Sequence, residues 1–107
     1  MNDVTAANAF AALGHPSRVA ILRLLVQAGG AGLTVSNMRE ALDIPATTFG
    51  HHLKAMAGAK LIQQSRAGRA LISVADFSAL QSLIEFLMED CCRGSLSPQT
   101  TLELETS

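Results

Sequence analysis

The segment IPATTFGHHLKAMAGAKLIQQSRAGRALISV, from Ile44 to Val74, decides the fold. Pro45, near its start, stops one helix and suits the first turn of the next, where its missing N–H is not needed. Phe49, Leu53 and Met56 then recur at helical spacing and give that helix an inner side, with an end near Gly58. After Gly58 the period changes. Leu61 to Ser65 and Ala70 to Val74 read as short strands, and Arg66-Ala67-Gly68-Arg69 between them reads as a hairpin turn. Upstream, Thr34 or Ser36 can cap a helix with Val35, Met38, Ala41 and Leu42 at helical spacing, and Asp43-Ile44-Pro45 breaks it. Two short helices joined by a tight turn and followed by a basic-tipped hairpin make a winged helix-turn-helix.

Working outward, Thr5 to Leu13 reads as an Ala-rich helix closed by Gly14, and Pro16 opens a dense apolar helix that ends at Gly29-Gly30. Asp76 can cap a last helix, in which Phe77, Leu80, Leu83, Ile84, Leu87, Met88 and Cys91 recur at steps of three and four. The expected architecture is mainly α with a small β-hairpin. At 107 residues the chain has material for one core. Residues 1–93 are expected to form the DNA-binding and dimerisation domain, and 94–107, polar and containing Pro98, a disordered tail. Met1-Asn2-Asp3 lacks the start of a secretory signal and no apolar run approaches a membrane span, so the expectation is a cytoplasmic protein with no membrane partner.

The formal net charge of −1 excludes indiscriminate coating of nucleic acid, so any DNA contact is local. Residues 1–44 balance to zero, 76–107 sum to −5, and 45–75 carry Lys54, Lys60, Arg66 and Arg69 with no acid. In a helix-turn-helix the start of the second helix enters the major groove. Ala46, Thr47, Thr48, Gly50, His51 and Lys54 occupy that part; short side chains there reach base edges and longer ones reach phosphates. Lys60 fits a phosphate, and Arg66 and Arg69 fit a phosphate or the minor groove. His52 is expected to turn toward the body of the domain, and His15 to cap or pack locally beside Pro16.

Three motifs in order carry a family resemblance. Ala12-Leu13-Gly14-His15-Pro16-Ser17-Arg18-Val19-Ala20-Ile21-Leu22-Arg23-Leu24-Leu25 resembles the opening signature of the arsenic-repressor, or ArsR/SmtB, family. Gly50-His51-His52-Leu53-Lys54-Ala55-Met56 with Gly58-Ala59-Lys60-Leu61-Ile62 resembles its recognition helix and the turn into the wing, and Gly68-Arg69 resembles the wing tip. The likeness spans roughly residues 6 to 92. It implies a homodimer that represses from double-stranded operator DNA and releases it on binding a signal. Two family sensor sites are missing: Thr34-Val35-Ser36-Asn37 has no cysteine, and on the last helix only Asp76 remains, with no histidine after position 52.

A single recognition helix covers too few base pairs for operator-grade affinity, which argues for a symmetric dimer. The last helix offers Leu80, Leu83, Ile84, Leu87 and Met88 for it, with Phe10 and Ala6 of the first helix. Cys91 and Cys92 are the chain's distinctive chemistry. Adjacent thiols on a helix point about 100° apart, so both grip one atom only where the helix frays or a partner chain helps. Two thiols without imidazole select a thiophilic ion. The resemblance implies an arsenical responder, since members with such a pair at this helix end answer arsenicals. The expected inducer is a trivalent arsenic species (arsenite or methylarsenite) or antimonite, held by Cys91 and Cys92, with no obligatory cofactor. Thiol oxidation is the alternative. Glu89, Asp90 and the negative helix end oppose it by raising thiol pKa. No catalytic constellation stands outside the cysteines, so an enzyme is not expected. A winged-helix protein-interaction module without operator binding is the reading from a different class.

Overall fold

The computed structural model describes residues 1–94. The elements are α1 (Asp3–Leu13), α2 (Pro16–Ala28), a single 3-10 turn (Gly29–Ala31), β1 (Leu33–Thr34), α3 (Val35–Ala41), α4 (Ala46–Gly58), β2 (Ile62–Ala67), β3 (Ala70–Ala75) and α5 (Phe77–Met88). This is the winged helix-turn-helix expected, with one strand more. The expectation for the tail falls, from residue 95 onward, outside the described residues.

Four of the five α-helices start at a side-chain cap, whereas α4 follows Pro45 without one. Asn2 accepts from the Thr5 amide at 2.9 Å and starts α1 two residues earlier than the apolar pattern suggests. His15 caps α2, its Nδ1 accepting from the Ser17 amide at 3.2 Å just ahead of Pro16. Thr34 and Asn37 form a reciprocal capping box on α3. Asp76 caps α5 through the Ala79 amide at 2.9 Å. Such caps each contribute about 1 kcal/mol.

The core lies where α2, α3 and α4 meet the base of the hairpin. Ile21, Leu25, Met38, Phe49 and Met56 are wholly buried there, joined by Leu53, Leu61 and Ile62. From α1 it buries Ala6, Ala9 and Ala12, with Leu13 half-buried beside them, so that helix lies close against its neighbours. Ala6 therefore belongs to the chain's own core and not to a dimer surface.

The additional strand, β1, pairs with β3 through Leu33↔Ser73 and Thr34↔Ile72, giving a three-stranded antiparallel sheet in the order β1-β3-β2. Gly32 makes this approach possible. Its φ is 71°, and a Cβ there would lie 2.5 Å from the Ser73 carbonyl oxygen and 2.7 Å from Val74 Cγ1. Two residues are too few for an alternation to show in sequence. β2 and β3 pair from Ile62↔Ala75 to Ala67↔Ala70, leaving Gly68 and Arg69 as the turn. Gly68, at φ 65°, takes the first central position, where a two-residue hairpin turn of type II′ requires positive φ.

No single helix among the described residues is long and apolar enough to cross a membrane, although the bent pair α1 and α2 together matches in length and composition.

Candidate nucleic-acid interface

α4 divides its residues sharply. Phe49, His52, Leu53 and Met56 are buried, while Ala46, Thr47, Thr48, Gly50, His51 and Lys54 are exposed. At about 100° per residue, Thr47, Gly50, His51 and Lys54 fall within an arc of roughly 100°, with Ala46 beside it and Thr48 toward the His52 side. The structure thus places all six on solvent, five of them on one continuous face. Lys60 follows α4 on an exposed turn, Arg66 stands near the end of β2 and Arg69 in the hairpin turn, all exposed. Among the described residues the one salt bridge joins Arg93 to Asp90, so none of these cations is neutralised by a carboxylate. Recognition helix and wing together carry unpaired positive charge, as contact with phosphates requires.

Between helix and wing runs an open groove of about 520 Å³. Gly50, Leu53, Lys54, Ala57 and Gly58 of α4 line it together with Val35 of α3 and with Gln64 and Leu71 of the hairpin. Gln64 was not legible as part of the site, because an exposed strand glutamine carries no signal of its own; its side chain also donates to Ser73 Oγ at 3.2 Å.

The recognition helix is held from behind by a contact that no local pattern shows. Arg18 of α2 donates from Nε to His52 Nδ1 at 3.0 Å, and from Nη1 to the Ala12 carbonyl oxygen at 3.2 Å. One guanidinium therefore ties α1, α2 and α4 together. The His15 ring meets His52 edge-on, with centroids 4.6 Å apart. His52 is 5% exposed, and its Nε2 is buried without a partner. Burial, then the fields of His15, Arg18 and His51, hold the His52 pKa below its ordinary 6.5. A neutral ring with Nδ1 unprotonated is the form that accepts from Arg18, so the proton sits on Nε2. His52 and His15 are thus structural, as their sequence positions suggested.

The reader is also tied to α5. The Asp76 amide donates to the Leu61 carbonyl oxygen at 2.9 Å, and Gln63 Nε2 donates to Asp76 Oδ2 at 2.7 Å. The Gln63 bond is the main cause holding the Asp76 carboxyl below its usual range, followed by the Ala79 amide. α5 itself buries only Leu83, with Leu80 and Phe86 half-buried against the core. Of the six residues besides Ala6 expected at a dimer surface, Phe10, Ile84, Leu87 and Met88 are exposed, Leu80 is half-buried, and Leu83 is only 6% exposed within its own chain. Phe77 and Val4 add to the exposed apolar set.

α5 ends at Met88, three residues before the cysteines, so Cys91 stands on a turn and not on the helical stripe expected of it. Asp90 and Cys92 take positive φ, 58° and 66°, and this backbone turns both thiols to the same side, with Sγ atoms 3.4 Å apart. Both cysteines are free and exposed. The shared hydrogen bond with Cys92, more than its charge or any burial, pushes the Cys91 thiol pKa up. With sulfur bonds of about 2.3 Å to a shared ion, a 3.4 Å separation subtends about 95°, narrower than the tetrahedral ~109°. No cluster of three or more metal-ligating side chains occurs among the described residues.

Comparison with known proteins agrees with this geometry. A family model described as a helix-turn-helix domain matches residues 13–64. Among solved structures, an ArsR-like transcriptional regulator from Rhodococcus sp. RHA1 superposes with a TM-score of 0.73 at 24% identity, over 84% of this chain and 82% of that one. A second, an ArsR family transcriptional regulator, gives 0.71 at 22% identity, over 84% of this chain and 90% of its own. No curated protein matches the sequence.

Proposed function

We propose that this chain, whose winged helix-turn-helix fold resembles that of the ArsR-like regulators it superposes on, is a homodimeric, cytoplasmic transcriptional repressor whose release from operator DNA is governed at Cys91 and Cys92. The observation that carries the DNA reading is the exposed face of Ala46, Thr47, Gly50, His51 and Lys54 beside a wing bearing Arg66 and Arg69, with no carboxylate among the described residues paired to any of these cations. The exposed apolar set Ile84, Leu87, Met88 and Phe10 supports a two-fold dimer, which gives the two half-site contacts that operator affinity needs.

For the inducer, the two sulfurs supply two ligands and no imidazole, and the narrow angle they offer suits a pyramidal trivalent centre better than a tetrahedral ion. A trivalent arsenical whose third position is already filled by carbon, such as methylarsenite, needs two thiols; arsenite or antimonite would draw a third donor from elsewhere. Oxidation of the pair to a disulfide is the weaker reading. Neighbouring Cα atoms lie about 3.8 Å apart, short of the 4.4–6.8 Å that disulfides usually span. The raised Cys91 pKa also lowers the fraction of reactive thiolate.

The test is fluorescence anisotropy on a labelled fragment from upstream of the chain's own gene, titrated with arsenite, methylarsenite, antimonite, zinc and peroxide. Release by methylarsenite, lost in both Cys91→Ser and Cys92→Ser, is the expected result. Release by peroxide alone selects the redox reading. Specific binding by no form of the protein leaves the interaction module standing.

A further inference from the structure

Two positions of the DNA reader carry the residue that serves its own stability worse, and the two choices run in opposite chemical directions. Gly50 is the fifth residue of α4, exposed, with ordinary helical φ. A Cβ added there meets nothing within 4 Å, so alanine fits the chain without adjustment. Glycine inside a helix is nonetheless among the least favourable choices, because it orders a more flexible backbone than alanine does. Nothing among the described residues requires it.

Lys60 is the converse. The Leu61 amide donates to the Met56 carbonyl oxygen at 3.0 Å and the Lys60 amide to that of Ala57 at 3.0 Å, which is the Schellman arrangement closing α4. Its left-handed residue is Lys60, at φ 65°, where glycine is the usual occupant and a Cβ is strained. The side chain is exposed, and neither a hydrogen bond nor a salt bridge holds it among the described residues.

We propose that both residues are set by the duplex: Gly50 is where DNA packs directly against the backbone of the recognition helix, and Lys60 is a phosphate anchor kept at a backbone position that disfavours it. This rests on the DNA-binding reading above and adds which positions determine closeness of approach. Gly50 lies within the contact face, midway along the helix between Ala46 and Thr47 one turn before it and Lys54 one turn after. A side chain at its Cα would hold the helix off the base edges by about the width of a methyl group, which is enough to lengthen every base contact around it. Lys60 leads from α4 into the wing, so its ammonium flanks the same surface.

The experiment uses full-length Gly50→Ala, Lys60→Gly and Lys60→Gln. Thermal unfolding is read beside anisotropy on the duplex that the wild type enriches from a randomised pool, across a salt series. G50A is expected to raise Tm by about 2–8 °C and to weaken binding of the enriched duplex about tenfold or more, while its salt slope stays as in the wild type. K60G is expected to raise Tm and weaken binding, with a salt slope smaller by about 0.9, the value for one phosphate. K60Q shows the same loss of slope without the gain in Tm. G50A that binds as tightly as the wild type, or that melts lower, overturns the assignment of Gly50. K60G with an unchanged slope overturns that of Lys60. A wild type that enriches no sequence overturns the DNA reading itself and this inference with it.

Discussion

Arg18 and His52 can be separated by a double-mutant cycle whose outcome follows from their geometry. Arg18→Met keeps the aliphatic stem packed and removes the guanidinium, leaving His52 Nδ1 and the Ala12 carbonyl without donors. A hydrogen bond involving a charged group is worth about 1.5–3 kcal/mol, and a buried acceptor left bare costs about 1–3 kcal/mol. The single change should therefore cost roughly 2–4 kcal/mol. His52→Phe removes the acceptor together with the unpartnered Nε2, and the Arg18 to Ala12 bond survives, so about 1–2 kcal/mol is expected. In the double variant the His52 acceptor is gone and only the Ala12 carbonyl stays without its donor, so the two losses should fall short of additivity by about 1–2 kcal/mol. Urea unfolding followed by circular dichroism at pH 7.5 measures all four proteins. Additivity within about 0.5 kcal/mol would refute the claim that this contact fastens the recognition helix to α1 and α2.

The remaining expectations are simpler. Because burial holds the His52 pKa below 6.5, the folded state binds its proton less readily than the unfolded chain; stability is full above pH ~6.5 and falls as pH drops toward the folded value, at no more than about 1.4 kcal/mol per pH unit. H52F should flatten that acid-side slope in urea melts, and an unchanged slope would remove His52 as its source. Gly32→Ala must place a Cβ 2.5 Å from the Ser73 carbonyl oxygen at a φ of 71°, costing about 2–4 kcal/mol and loosening β1 from β3; amide exchange at Ser73 no faster than in the wild type would count against it. Asp76→Ala loses the α5 cap and the Gln63 bond, and should lower Tm by about 4–8 °C, a loss absent if the cap contributes nothing. Arg66→Ala and Arg69→Ala should each reduce the salt slope of DNA binding by up to about 0.9, and slopes equal to the wild type would take the wing off the DNA.

The order of helices, the recognition helix and its inner face, the hairpin and its turn were legible because each rests on a local period or a local residue preference. Phe49, Leu53 and Met56 at helical spacing, and Gly68 at a two-residue turn, are signals of that kind. What was not legible depends on pairs distant in the chain. β1 is two residues long and exists because Gly32 lets it approach β3, forty positions on. The Arg18 to His52 bond spans 34 positions, and nothing near either residue announces it. Leu83 and Ile84 look alike in a helical stripe, yet one is buried in its own core and the other exposed, since the stripe of α5 is wider than the surface it covers. The end of α5 was misjudged for the same reason: apolar spacing continues to Cys91, but the backbone leaves the helix after Met88.

That early ending bears on how a signal at the cysteines would reach the DNA. Twelve residues of helix span about 18 Å, so the thiols lie well away from the N-terminus of α5. There Asp76 binds both the Leu61 carbonyl and the Gln63 side chain, which fixes that end to the junction of recognition helix and wing. Between the two ends α5 buries only Leu83 fully, so little within one chain opposes a change in its tilt. In a dimer built on the exposed face of α5, such a tilt would alter the separation of the two recognition helices, which must match half-sites about 34 Å apart. A hundredfold loss of operator affinity needs only about 2.7 kcal/mol of coupling. An ion drawing the two thiols together on a turn already holding positive φ at Asp90 and Cys92 would therefore not need to touch the face of α4 or the wing; in such a dimer, changing the preferred direction of α5 would be enough.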